Sequence, residues 1–135
     1  MRRATLERFF YVSRVAGDGS AVDVQGILGP SRMRNRRLDI TGMLAWSGRH
    51  FAQVLEGTVP AVEELVAKVA RDTRHTHFTL VFRKPIVARD YAEWTMGYIE
   101  SFGADDRIEA LIGAAPPADL ANIERFVSRL FAPAF

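Results

Sequence analysis

A chain of 135 residues, 48% hydrophobic and 25% charged, has the size and balance of one globular domain that can bury a core without staples. The absence of cysteine excludes disulfides, thiolate metal sites and cysteine nucleophiles, and the three histidines, His50, His75 and His77, lack the spacing of a zinc site on one helix. A net charge of +2 is too small to argue for nucleic acid, and no apolar run nears the roughly 20 residues of a membrane span, so a cytoplasmic protein is expected.

Thr5 to Ser13 is β-rich, with Phe9 and Tyr11 on one face and Phe10 and Val12 on the other, so both faces of its sheet should be covered. Gly17-Asp18-Gly19-Ser20 reads as a loop. Val24, Ile27, Leu28 and Ser31 mark one face of a first helix, with Asn35 at its end; Pro30 should kink or split that helix. Ile40–Trp46 and His50–Leu55 flank Ser47-Gly48, a hairpin signal. Thr58 is expected to cap a second helix with Pro60 in its first turn and Val62, Leu65, Val66 and Val69 as its buried stripe. Phe78, Leu80 and Phe82 alternate as a fourth strand, and Trp94, Met96 and Tyr98 as a fifth. After Gly103 the pattern is helical: Ile108, Leu111 and Ile112 precede Pro116-Pro117, and Leu120, Ile123, Val127, Leu130 and Phe131 form a last stripe. The order βαββαββ with a helical tail predicts an α+β, ferredoxin-like sandwich with a C-terminal helical extension.

Within the third strand, Phe51, Gln53 and Leu55 share one face and Ala52, Val54 and Glu56 the other. A carboxamide among core residues costs roughly 1–3 kcal/mol if left without partners, so the fold or a ligand must satisfy Gln53. A slot between the two helices would be lined by Tyr11, Gln53, Asn35 and Trp94 or Met96. These groups suit a flat heteroaromatic ring with imide edges and supply no evident acid, base or nucleophile for turnover. Each also has a plain structural reading: core aromatics with a polar tip, a methionine filler, an asparagine helix C-cap.

Five ordered segments carry a family resemblance: Tyr11-Val12-Ser13, Asn35 with Ile40-Thr41-Gly42, Phe51-Ala52-Gln53-Val54-Leu55-Glu56-Gly57, Asp72-Thr73-Arg74-His75, and Trp94-Thr95-Met96-Gly97. Together, from about Leu6 to Ile99, the chain resembles the BLUF domain, a blue-light receptor that binds flavin. The resemblance implies a short stand-alone photoreceptor holding FAD, with FMN or riboflavin as alternatives. Tyr11 is then the electron donor, Gln53 the carboxamide between it and the flavin, and Asn35 the partner of the pyrimidine edge. Arg74 and His75 lie near the ribityl chain, Arg34 and Ile40 add contacts, and Trp94 and Met96 are the fifth-strand pair tied to signalling. Arg34 departs from the histidine or asparagine often found there.

Residues 1–100 would form the flavin-binding part and residues 101–135 a helical cap on the sheet that carries output. Self-association and a separate protein partner are implied, with no enzymatic activity, no membrane and no direct nucleic-acid contact. Two other classes fit the fold less well. An RRM-type nucleic-acid module shares most of the strand order, and Arg49-His50-Phe51 faintly matches its aromatic motif, but its sheet face should be bare. An acylphosphatase-like enzyme needs a phosphate-cradling loop, and no glycine-rich one is present. Arg32, Arg34, Arg36 and Arg37 read as a solvated basic face.

Overall fold

In the computed structural model, residues 5–17, 23–112 and 120–132 are described. Ten segments follow in order: β1 (Leu6–Val15), α1 (Val24–Leu38), β2 (Thr41–Trp46), β3 (His50–Thr58), α2 (Val59–Ala70), β4 (His75–Ile86), β5 (Gly97–Glu100), a 3-10 turn (Phe102–Ala104), α3 (Asp105–Ile112) and α4 (Leu120–Leu130). The sheet runs β4-β1-β3-β2-β5. Its first four strands pair antiparallel and β5 joins β2 in parallel, which gives the ferredoxin-like α+β arrangement expected.

The alternation of β1 divides the core. Phe9 and Tyr11 join Leu28, Leu44, Phe51, Leu55, Val62 and Leu65 under α1 and α2. Phe10 and Val12 join Ala52, Val54 and Phe82 with Ile108, Phe126, Val127 and Leu130 from α3 and α4. Phe10 lies 5.9 Å from Phe82 and 6.5 Å from Phe126. Each such buried ring contributes about 1.5–3 kcal/mol of transfer free energy.

Four local expectations are corrected. Pro30 does not split α1, which runs unbroken from Val24 to Leu38; Pro30 and Gly26 both lie on its exposed side, where water can satisfy the carbonyl freed by the missing amide. Thr58 occupies the cap position of α2 without a side-chain cap hydrogen bond, and the Val59 amide bonds the Thr5 carbonyl instead. Phe78, Leu80 and Phe82 do not share a face, because β4 slips register between Phe10 and Tyr11 and again between Val12 and Arg14; an extra residue reverses the side-chain alternation. Phe78 thus packs with Tyr11 while Phe82 enters the opposite core, and Leu80 is exposed. Lastly, β5 starts at Gly97, so Trp94 and Met96 precede it. A Cβ at Gly97 would come within 2.1 Å of Met43 Sδ, which explains a glycine there.

The hairpin turn keeps its expected place, with Gly48 at φ 105°. Of the loop expected at residues 17–20, residues 18–20 lie outside the described region, as do Pro116-Pro117. No helix among the described residues is long and apolar enough to cross a membrane.

Candidate functional site

A cleft of about 530 Å³ of empty space, open mouth included, lies between α1 and α2 on the sheet. Its floor is set by strand register. Tyr11 of β1 stands directly opposite Gln53 of β3, so their side chains meet on one face. The Tyr11 hydroxyl donates to Gln53 Oε1 at 2.5 Å, and Gln53 Nε2 donates to Met96 Sδ at 3.1 Å. All three residues are buried. One amide hydrogen of Gln53 remains for a further acceptor.

Burial raises the Tyr11 phenol well above its usual range; Arg34 opposes this, Asp72 adds to it, and Arg74 also opposes it. At neutral pH the group is therefore a neutral phenol, and it can lose an electron readily only by losing its proton as well. Its ring is held by Phe78 at 4.9 Å, by stacking on Phe9 and by the edge of His75.

Asn35 is wholly buried. Its Nδ2 donates to the Thr95 carbonyl at 2.8 Å, whereas its Oδ1 has no partner. Asn35 is not the C-cap of α1: Asp39, at φ 55°, takes that position, and the Ile40 amide bonds the Asn35 carbonyl. The neighbouring Arg34 lines the cleft, and its Nε is likewise buried without a partner; desolvation lowers its pKa. A buried acceptor and a buried donor without partners thus fall on consecutive residues of α1, and such groups call for a ligand or water; only Arg34 of the two lines the cleft, and Asn35 and Met96, both expected there, lie behind its lining.

Arg74 and His75 also line the cleft. Arg74 grips Asp72 through its Nε at 3.0 Å and holds that carboxyl down to about 2. The His75 ring spans Ser13 Oγ at 2.7 Å and the Val69 carbonyl at 2.6 Å, so both of its nitrogens are already used by the protein. Ile40 is buried in the same core but does not line the cleft. Trp94 is corrected too: it is 52% exposed and stands outside the lining, and its carbonyl accepts from the Gly42 amide.

The cleft also takes in residues to which the sequence assigned no cleft role: Ile27, Ser31, Leu44, Phe51, Lys68, Val69 and Asp72. Ile27 and Ser31 follow from the helix stripe, and Phe51 from the alternation that exposes Gln53 to the cleft. Lys68 carried no signal, because its place depends on how α2 lies over the sheet.

The residues fit a flat, amide-edged ring: a phenol–carboxamide pair on the floor, and Arg34, Lys68 and Arg74 as cationic side chains in the lining. The family model described as "Sensors of blue-light using FAD" matches residues 6–97. The chain belongs to the BLUF family. FAD is the cofactor by which that family is defined. Among similar BLUF sequences, the photoactivated adenylate cyclase subunit beta of Euglena longa is 37% identical over 94 residues, 69% of this chain and 11% of that protein. The chain thus spans about a tenth of such relatives. The dark-state structure of the BLUF protein BlrB has a TM-score of 0.73 at 31% identity and covers 93% of this chain and 97% of its own. The photo-activated structure of BlsA has a TM-score of 0.79, with 96% of each chain covered; at 23% identity it speaks for the fold alone.

Proposed function

We propose that this BLUF chain senses blue light through the Tyr11–Gln53 pair and passes the signal by way of residues 94–96 and the C-terminal helices, without enzymatic turnover. The observation that carries the reading is the chain of contacts from the Tyr11 hydroxyl to Gln53 Oε1 and from Gln53 Nε2 to Met96 Sδ.

Bound in the cleft, flavin supplies absorption of blue light and, once excited, an oxidant. Asn35 Oδ1 and the Arg34 guanidinium would hold its polar edge, and Lys68 and Arg74 its outer polar groups. Tyr11 responds as a neutral phenol: loss of an electron makes its hydroxyl strongly acidic, and the proton leaves along the existing bond to Gln53 Oε1. Gln53 offers an acceptor at one end and a donor at the other, so rotation or tautomerisation reverses what it presents to its neighbours. The hydrogen bond to Met96 Sδ then breaks or is replaced. To stay neutral, Gln53 would have to give up an Nε2 proton as it takes the phenol's proton on Oε1; in that exchange no charge stays on the floor and the cost of a buried ion is avoided.

The same reading assigns residues 1–100 to sensing and 101–135 to a cap whose movement is the output. Self-association and contact with a separate protein would use the cap side, where Phe102 and Leu120 are exposed. The cytoplasm is the compartment proposed, with FAD as the ligand. A second reading as a bare-faced nucleic-acid module lacks support, since α3 and α4 cover the other sheet face. The deciding experiment is a light-minus-dark absorption spectrum of the purified protein with FAD. A yellow protein with a reversible red shift supports the reading, and one that takes up no flavin ends it.

A further inference from the structure

Glu56, on the same strand as Gln53 and two residues short of its end, has a side chain of 0% exposure, yet the photochemical scheme gives it no part. Its carboxylate is fully engaged. Oε2 accepts from Arg8 Nε at 2.8 Å and from the Asp90 amide at 3.1 Å, and pairs with Arg8 Nη2 at 2.7 Å; Oε1 accepts from the Tyr91 amide at 2.8 Å. The Glu56 carbonyl also accepts from Arg89 Nη1 at 3.2 Å. One residue therefore grips three consecutive positions of the segment between β4 and β5.

That segment touches both halves of the molecule. At its far end Met96 Sδ sits on Gln53, with Arg32 Nε on the Met96 carbonyl at 3.1 Å. At its near end the Tyr91 ring meets Phe131, just past α4, edge-on at 6.3 Å. It has no regular structure of its own, so its path is set by these attachments.

We propose that Glu56 is a positioning residue: it fixes the course of residues 89–96, and through it the seat of Met96 on Gln53 and of Tyr91 against the end of α4. This rests on the photoreceptor reading above. Removing the clamp loosens the segment, and Met96 returns to Gln53 along a different barrier after light.

The test compares Glu56→Gln with Glu7→Gln in the full chain with FAD bound. Glu7 is a buried partner of Arg83 on the same sheet and, among the described residues, makes no hydrogen bond or ion pair with the segment, so its loss serves as the stability control. In Glu56→Gln, amide hydrogen exchange at residues 90–96 should speed up in the dark. Recovery of the dark spectrum should change by about tenfold, the scale of one lost hydrogen bond to a buried charge expressed as a rate. Glu7→Gln should change neither. If Glu56→Gln does not fold, Arg8→Gln, which loses the pairs of Arg8 with both Glu56 and Asp90, should show the same effects, and Arg8→Lys should restore them in part. Recovery that matches the parent in Glu56→Gln, or that moves equally in Glu7→Gln, overturns the proposal. A parent that fails to shift under light sinks the photoreceptor reading instead, while the dark exchange still reports on the clamp.

Discussion

The two faces of the sheet are held by opposite kinds of polar chemistry. On the cleft face the floor is neutral and dry: a phenol, a carboxamide and a thioether joined end to end. On the other face α3 is tied down by charge. His50 of β3 places its Nδ1 2.6 Å from Asp105 and its Nε2 against Glu109; Arg14 Nε reaches Glu109 at 3.0 Å, and the Ser47 hydroxyl reaches Asp105 at 2.5 Å. Neutral groups can exchange hydrogen bonds without moving charge through low dielectric. Ion pairs can hold a helix firmly but answer to pH and salt. The faces are therefore separable by experiment.

The largest expected effect is on the cap-face core. Phe10→Ala empties a site with 0% exposure and should cost about 3–5 kcal/mol in denaturant unfolding. Next is Asn35→Ala, which should weaken FAD binding by about 1–3 kcal/mol by titration, the usual loss when a buried partner goes unsatisfied. Unchanged affinity would assign Asn35 to holding Thr95 alone.

Acid should reach the cap, and on the cleft side the Asp72–Arg74 pair, without titrating the Tyr11 phenol. Hydrogen bonds from Arg14 and then His50 hold Glu109 down to about 2 against an ordinary 4.5; for Asp105, burial is outweighed by the Ser47 hydroxyl and the His50 ring, and its pKa is lowered. Carboxyls depressed on folding stabilise above their unfolded pKa and lose that contribution as pH falls through the folded one. Protection of α3 amides should therefore drop between about pH 4.5 and 2, with no titration of the phenol in that window. The smallest effect is that of Glu109→Gln at neutral pH, a partly exposed pair, which should raise exchange in α3 slightly and leave the flavin spectrum untouched.

Strand alternation alone made the cleft floor legible, because period two places Tyr11, Phe51, Gln53 and Leu55 on sheet faces without knowledge of the neighbours. The direct Tyr11–Gln53 pairing needed the antiparallel match of β1 with β3, which periodicity does not reveal. The bulges of β4 were hidden because an inserted residue leaves the apolar count intact. Trp94 misled for a related reason: its spacing to Met96 and Tyr98 mimics a strand, but the segment is bound by side chains of α1 and β3 and by the single Gly42 amide of β2, with regular pairing beginning only at Gly97. The orphaned atoms of Arg34 and Asn35, and the His50 cluster bridging residues 55 or more apart in sequence, are products of tertiary packing.

The central claim is that Tyr11 and Gln53 act as one relay, and paired variants test it most directly. Tyr11→Phe removes only a hydroxyl, and Gln53→Leu removes donor and acceptor at similar volume. Light-minus-dark absorption of each, loaded with FAD, should show bound flavin but no normal reversible red shift. A variant that shifts and recovers like the parent would contradict the relay at that residue.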